Sequence, residues 1–295
     1  MNRIVDKLKM ISSSKENIQQ LLSVFNSINP FSVPIIRFFI ETGTFVVRQR
    51  INPMGKIFTN ISELSYPPKN CCLGYGRANI PNHPMFYCCS FPSDHNAPDP
   101  RYTTLLETSK FIHEKESRGI ERSTFSRWDV IKRLNLIALP FSTQYERTFE
   151  DIIQIQKAWE KERTTVPVNK ESLELVEYMS NEMASNVENE IGYFKTAYFV
   201  YYLLYVNDKT KDADGIIYPS VAAAGEGFNL ALKPDVADNK LKFSFASLCY
   251  LVKDKMNATL YGVNHSVGCY SNGELVFSPD DDFDINVCTG FNFIN

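Results

Sequence analysis

The sequence predicts a mixed α+β domain in which a block of helices separates two strand-rich parts. Three observations carry that prediction. Short β-branched and aromatic runs bounded by Pro, Gly and Asn recur between residues 42 and 141 and again from 214 onward. The block 145–206 instead repeats its apolar residues at helical spacing. The chain of 295 residues is 44% apolar and 22% charged, enough to supply a sizeable core.

Taken in order, residues 13–28 read as an amphipathic helix. Ser13 and Glu16 fit a capping box, and Ile18, Leu21, Leu22 and Phe25 fall on one face. "NPFSVP" ends it. The division expected is an N-terminal helical segment, 1–40, ahead of a domain over 41–295. "TGTFVVRQRI" (42–51) reads as a strand, 52–84 as a long loop, and "MFYCCSF" (85–91) as a second strand. One helix is predicted over 101–115, carrying Leu105, Leu106 and Phe111, then strands near 121–131 and 134–141. Within 145–206, one helix is marked by Phe149, Ile152, Ile153 and Trp159, and a second by Leu173, Val176, Met179 and Met183. A third over 189–206 is apolar on most sides and therefore central. Strands return at 214–222, 228–234 and 241–252. The last part, "ATLYGV" and "HSVGCYSNGELVF", turns at Asn272-Gly273.

Several function classes drop out. A net charge of −3 gives no electrostatic case for direct nucleic-acid binding. "YFVYYLLYV" (198–206) is too short to span a bilayer, and the N-terminus lacks an apolar signal region, so no membrane partner and a cytoplasmic setting are expected. Seven cysteines in no disulfide pattern agree with that setting. The pairs Cys71-Cys72 and Cys88-Cys89, even with His83 and His95 nearby, lack structural-zinc spacing and read as buried thiols; no metal is expected. There is no G-x-S-x-G or H-E-x-x-H. Gly225-Glu226-Gly227 lacks the third glycine of a dinucleotide fingerprint, since position 230 is Leu. The run Asp280-Asp281-Asp282 reads as a solvated turn.

What remains are polar residues beside turns and strand ends: Arg48, Arg77, Tyr87, Glu107 and Ser220. Arg77 sits in a Gly-rich loop, where a guanidinium fork suits phosphate but can equally tie loop carbonyls together. Three stretches carry a resemblance: "VVRQR" (46–50), "LSYPPKNCCLGYGRANIPNHPMFYCC" (64–89) and "DGIIYPSVAAAGEGFNLAL" (214–232). They are similar, in order, to segments of the RES-domain family, over about residues 42–252 with a gap; 145–206 and the N-terminal helix lie outside the match.

The resemblance implies an ADP-ribosyltransferase-like core of mixed strands with a cleft for NAD+, here carrying a helical insertion at about 145–206. It implies an enzyme that cleaves the nicotinamide–ribose bond by phosphorolysis or hydrolysis; the alternatives are an ADP-ribosyltransferase acting on a macromolecule, or a degenerate RES-like module that binds nucleotide or a partner. NAD+ would be the substrate, inorganic phosphate a candidate co-substrate, and no further cofactor would be needed. It also implies the toxin of a toxin–antitoxin pair, with a helix-turn-helix antitoxin as partner. A homo-oligomer stays open.

Residue by residue, Arg77 matches the arginine of the G-R-x-N turn, with Asn79 bracing it, and Tyr87 matches the tyrosine of the following strand. Arg48 is the better match to the first-strand arginine, Arg50 the runner-up. Ser220 matches the family serine and Glu107 the glutamate. The interval from Tyr87 to Glu107 is longer than in compact members, so Glu114 and Glu116 stand beside Glu107 as candidates. On this reading the carboxylate stabilises an oxocarbenium-like ribose. The arginines hold pyrophosphate or phosphate, Tyr87 stacks on nicotinamide, and Ser220 bonds a ribose or phosphate oxygen.

Overall fold

The computed structural model describes residues 4–29, 33–53, 56–90, 99–139, 150–165, 170–224 and 227–278. Its strands are β1 (Ile36–Ile40), β2 (Phe45–Ile51), β3 (Phe86–Ser90), β4 (Arg118–Val130), β5 (Leu134–Ala138), β6 (Gly215–Pro219), β7 (Phe228–Leu232), β8 (Leu241–Asp254), β9 (Asn257–Cys269) and β10 (Leu275–Phe277). They form one ten-stranded mixed sheet in the order β1-β5-β6-β7-β3-β2-β4-β8-β9-β10. β5 and β6 run parallel, and the other neighbouring pairs are antiparallel.

Chain order explains the central join. β2 zips along its whole length to β4, with seven residue pairs, and β3 zips to β7 with five. Among the described residues, β2 and β3 pair only at Val46↔Ser90 and Val47↔Cys89. Beyond Val47 and Cys89 the two strands part, so the sheet is two five-stranded halves joined by a short seam. Trp128 on β4 packs edge-on to Phe86 on β3 and to Phe243 on β8, so buried aromatic rings cross the seam where backbone pairing is short.

Helices cover the sheet and its edges. The N-terminal pair α1 (Ile4–Met10) and α2 (Ile18–Asn26) packs with α7 (Lys170–Met183) and α8 (Phe194–Tyr201) around Leu8, Phe25, Met179 and Phe199. α8 buries nearly every residue and runs on into a π-helical turn, Tyr202–Val206, as its all-round apolar sequence requires. α6 (Glu150–Thr165) lies against β1. α4 (Pro100–Thr108) begins on Asp99, whose side chain accepts from the Arg101 N–H, with Pro100 in the first turn. Leu105 pins it over Val47 of β2 and Phe125 of β4. The remaining helices are α3 (Ile61–Leu64), α5 (Lys110–His113) and α9 (Pro234–Lys240).

The architecture is the expected mixed α+β, with helices between two sets of strands. Several elements differ from the sequence reading. The segment 1–40 is not wholly helical: "IRFFI" forms β1, paired with β5 inside the main sheet. Ser14 rather than Ser13 caps the entry to α2, accepting from the Glu16 N–H. The single helix over 101–115 is two, because Ser109 adopts extended backbone and its hydroxyl caps α5. The long loop 52–84 holds α3, and α1 and α9 are additional. The final strands meet at the Asn272-Gly273 turn, where Gly273 has φ +82°. His95, Glu226 and the Asp280–Asp282 run lie outside the described residues. Among the described residues, no helix is long and apolar enough to cross a membrane, and no group of three or more His, Cys, Asp or Glu could hold a metal.

Phe86 is fully buried at the seam. Truncating it as Phe86→Ala should lower unfolding free energy by about 3–5 kcal/mol, read as a reduced urea midpoint.

Candidate functional site

Where β2 and β3 part, a cavity of about 200 Å³ opens. Arg48 and Gln49 line it from β2, Tyr87, Cys88 and Cys89 from β3, and Asn229 and Leu230 from β7. Thr104, Glu107 and Thr108 share one helical face of α4 and form a wall; Arg77, Tyr193 and Tyr218 complete the lining. Adjacent residues Arg48 and Gln49 both reach it, although alternation sends them to opposite faces, because the strands have separated there.

The Arg77 turn is built around a phenol. Gly76 and Asn79 exchange backbone hydrogen bonds. The Tyr87 hydroxyl donates to Asn79 Oδ1 (2.8 Å) and accepts from the Ala78 N–H (3.0 Å). Asn79 returns its amide to the Gly74 carbonyl and Cys72 Sγ. A Cβ on Gly76 would lie 2.2 Å from Asn79 Oδ1 and 2.8 Å from the Tyr87 hydroxyl, so only glycine fits. Tyr87 is thus committed to the turn through its hydroxyl while the residue lines the cavity, and burial pushes its pKa up. Arg77 then reaches the helical block. It donates to the carbonyls of Met183 and Ser185 at the end of α7, and its guanidinium lies over the Tyr193 ring, with Nη2 3.3 Å from that hydroxyl.

Arg48 closes the seam. Nη1 donates to the Tyr87 carbonyl (2.7 Å) across the gap, and Nε to the Leu64 carbonyl (3.1 Å) at the end of α3. Burial, then neighbouring Arg50, lowers its pKa to about 10. Among the described residues, the hydrogen-bond partners of the two cavity guanidiniums are carbonyls and a phenol, none a carboxylate. Carbonyls orient a guanidinium without cancelling its charge.

Glu107 is the cavity's carboxylate, and its two oxygens differ. Oε1 accepts from Ser220 Oγ (2.7 Å), Asn229 Nδ2 (2.7 Å) and, at 3.4 Å, the Ala222 N–H. No hydrogen bond of Oε2 falls among the described residues. The side chain is fixed at one oxygen and offers the other. Gln49 is the reverse case. It is 5% exposed, and neither Oε1 nor Nε2 has a partner among the described residues. Leaving such groups unpaired costs about 1–3 kcal/mol each.

Of the residues singled out in the sequence, Arg48, Arg77, Tyr87 and Glu107 meet at this cavity. Ser220 does not line it: the fully buried hydroxyl donates to Glu107 and accepts from the Ala223 N–H, so it positions the carboxylate rather than touching a ligand. Asn79 braces the turn. Arg50 is not part of the site; its guanidinium donates to the Glu63 carbonyl and lies over Phe58. Glu114 and Glu116 are exposed and away from the cavity. Gln49, Thr104, Thr108, Tyr193, Tyr218 and Asn229 were missed. Burial pushes the Cys88 and Cys89 thiols up, so neither is poised as a thiolate nucleophile.

No family model matches the chain, and no curated protein matches it.

Two consequences are measurable. Pyrophosphate should stabilise the fold, by about 2.7 kcal/mol at 100 times its Kd, where sodium chloride of equal ionic strength does not; Arg48→Met should remove the effect. Gly76→Ala should cost about 1–3 kcal/mol in urea unfolding and weaken pyrophosphate binding, because the new methyl expels the Asn79 and Tyr87 bonds that hold the Arg77 turn.

Proposed function

We propose that the chain is an NAD+-consuming enzyme with a RES-type, ADP-ribosyltransferase-like core that breaks the nicotinamide–ribose bond. The observation that carries this reading is one cavity combining two guanidiniums with no carboxylate partner among the described residues and a carboxylate held at one oxygen, its other oxygen without a partner among them. The guanidiniums suit the pyrophosphate or an incoming phosphate. Glu107 Oε2 suits a ribose that gains positive charge.

As the C–N bond breaks, its electron pair leaves with the nicotinamide nitrogen and discharges the pyridinium. The sugar becomes oxocarbenium-like, and water or phosphate adds at the anomeric carbon. A fixed carboxylate beside that carbon is stabilising mainly in the transition state, which is what accelerates the step. Ser220 and Asn229 keep Glu107 from swinging away. The toxin role and a helix-turn-helix antitoxin rest on the resemblance of the three sequence stretches alone, and the cytoplasmic setting on the sequence's lack of an apolar signal region and its cysteine usage.

The test mixes the full chain with NAD+ with and without phosphate. Nicotinamide with ADP-ribose marks hydrolysis, and ADP-ribose 1″-phosphate appearing only with phosphate marks phosphorolysis. Label carried onto a macromolecule marks transfer, and unchanged NAD+ overturns the proposal. Glu107→Gln should slow NAD+ loss by about 100- to 1,000-fold, whereas Glu114→Gln should leave it unchanged. Ser220→Ala, which frees the carboxylate without removing it, should cost about tenfold in kcat.

A further inference from the structure

Gln49 has no structural reason to be polar. It sits on β2 between Val47, packed under α4 with Leu105 and Phe125, and the parted end of the strand. It is 5% exposed, and both ends of its amide lack a protein partner among the described residues. Two neighbouring polar groups on the same cavity have partners: the Tyr87 hydroxyl in Asn79 and Ala78, and Asn229 in Glu107 and Cys89 Sγ. A buried amide with no partner at either end, on a residue that lines the cavity, is what a site built to hydrogen-bond a ligand holds while empty of it.

We propose that Gln49 is the specificity-determining residue of the cavity and that it reads a primary carboxamide on the ligand. Its Nε2 donates to the ligand carbonyl and its Oε1 accepts from the ligand NH2, a flat paired contact. A carboxylate in the same place presents two acceptors and opposes Oε1 of Gln49. The inference rests on the NAD+ reading, because nicotinamide is the part of that molecule with a primary carboxamide. It deepens that reading by requiring discrimination between nicotinamide and nicotinic acid. The carboxamide is favoured over an adenine edge, which also offers a donor and an acceptor, because Glu107 shares the cavity with Gln49 and the carboxamide lies one ring from the bond to be broken.

The experiment titrates nicotinamide, nicotinic acid and adenosine separately into the full chain, wild type and Gln49→Met, by ligand-observed NMR. Gln49→Met keeps length and removes two unpaired polar atoms, so its urea midpoint should equal or exceed that of the wild type, showing the variant folded. The expected result is nicotinamide binding to wild type at least about tenfold tighter than nicotinic acid, a preference that Gln49→Met erases by weakening nicotinamide. Three results overturn the proposal: no nicotinamide binding to wild type, equal binding of nicotinic acid, or a preference unchanged in Gln49→Met. Adenosine binding that depends on Gln49 where nicotinamide binding does not also overturns it. NAD+ loss measured alongside separates the two ideas. Turnover with an unaltered Gln49→Met preference sinks this inference and leaves the enzyme reading standing. Gln49-dependent nicotinamide binding without turnover does the opposite.

Discussion

The seam between β2 and β3 is the constraint on which the rest depends. Among the described residues two residue pairs join the halves of the sheet, and past Val47 and Cys89 each strand keeps its outer partner and loses its inner one. A sheet interrupted in its middle exposes backbone groups that must find other partners. The Tyr87 carbonyl finds one in the Arg48 guanidinium, a side chain doing what a continued ladder would have done. A permanent positive charge is thereby placed at the mouth of the gap as part of holding the sheet together. Structure and anion affinity are properties of the same group, which is why the two are hard to separate in Arg48.

A second cation arrives by a different route. Arg77 belongs to a loop before β3, yet its anchors are carbonyls at the end of α7 and the ring of Tyr193, both inside the helical block. The block between the strand sets therefore does more than cover the sheet; it fixes where the Arg77 charge points. In both arginines the partners are dipoles rather than anions. An ion pair would have oriented the guanidinium equally well and left little charge for a ligand. The choice of partner separates an arginine available to an anion from one spent on structure. Arg50, over Phe58 and bonded to the Glu63 carbonyl, shows that dipolar partners alone do not make a site: it is not on the cavity.

The parts of the fold and site that could be read from sequence are those encoded locally. Asn272-Gly273 specifies its turn through a left-handed glycine, and the turn at Gly76–Asn79 announces itself by glycine and asparagine spacing. Arg48, Arg77, Tyr87 and Glu107 could be picked out because each stands at the edge of such a feature. Ser220 was visible, but its role was not: only the fold shows that its hydroxyl is turned to Glu107. β1 was hidden inside a segment read as helical because "IRFFI" makes sense only against β5, almost a hundred residues later. Ser109 split a helix because it serves as cap to the next one, a choice that periodicity does not reveal. Gln49, flanked by two arginines, carries no local signal of burial. Its burial follows from β2 lying mid-sheet under α4, and its missing partners follow from β3 turning away.

Sorting the cavity's polar groups by what they already bind says what a ligand must bring. Hydrogen-bonding groups that hold the scaffold are engaged: the Tyr87 hydroxyl, Asn79, Ser220, Asn229 and one oxygen of Glu107. What is left over includes the charge of two guanidiniums, the second oxygen of Glu107 and both ends of the Gln49 amide. A simple anion would satisfy the guanidiniums but sit badly beside Glu107. A simple cation would suit Glu107 and meet repulsion from Arg48 and Arg77. Only a molecule that carries negative and positive charge in separate places, with an uncharged donor and acceptor besides, answers all of the open valences at once. On the proposed NAD+ reading, those two ends would be the pyrophosphate and the pyridinium, and the mismatch between them would ease as the nicotinamide leaves uncharged.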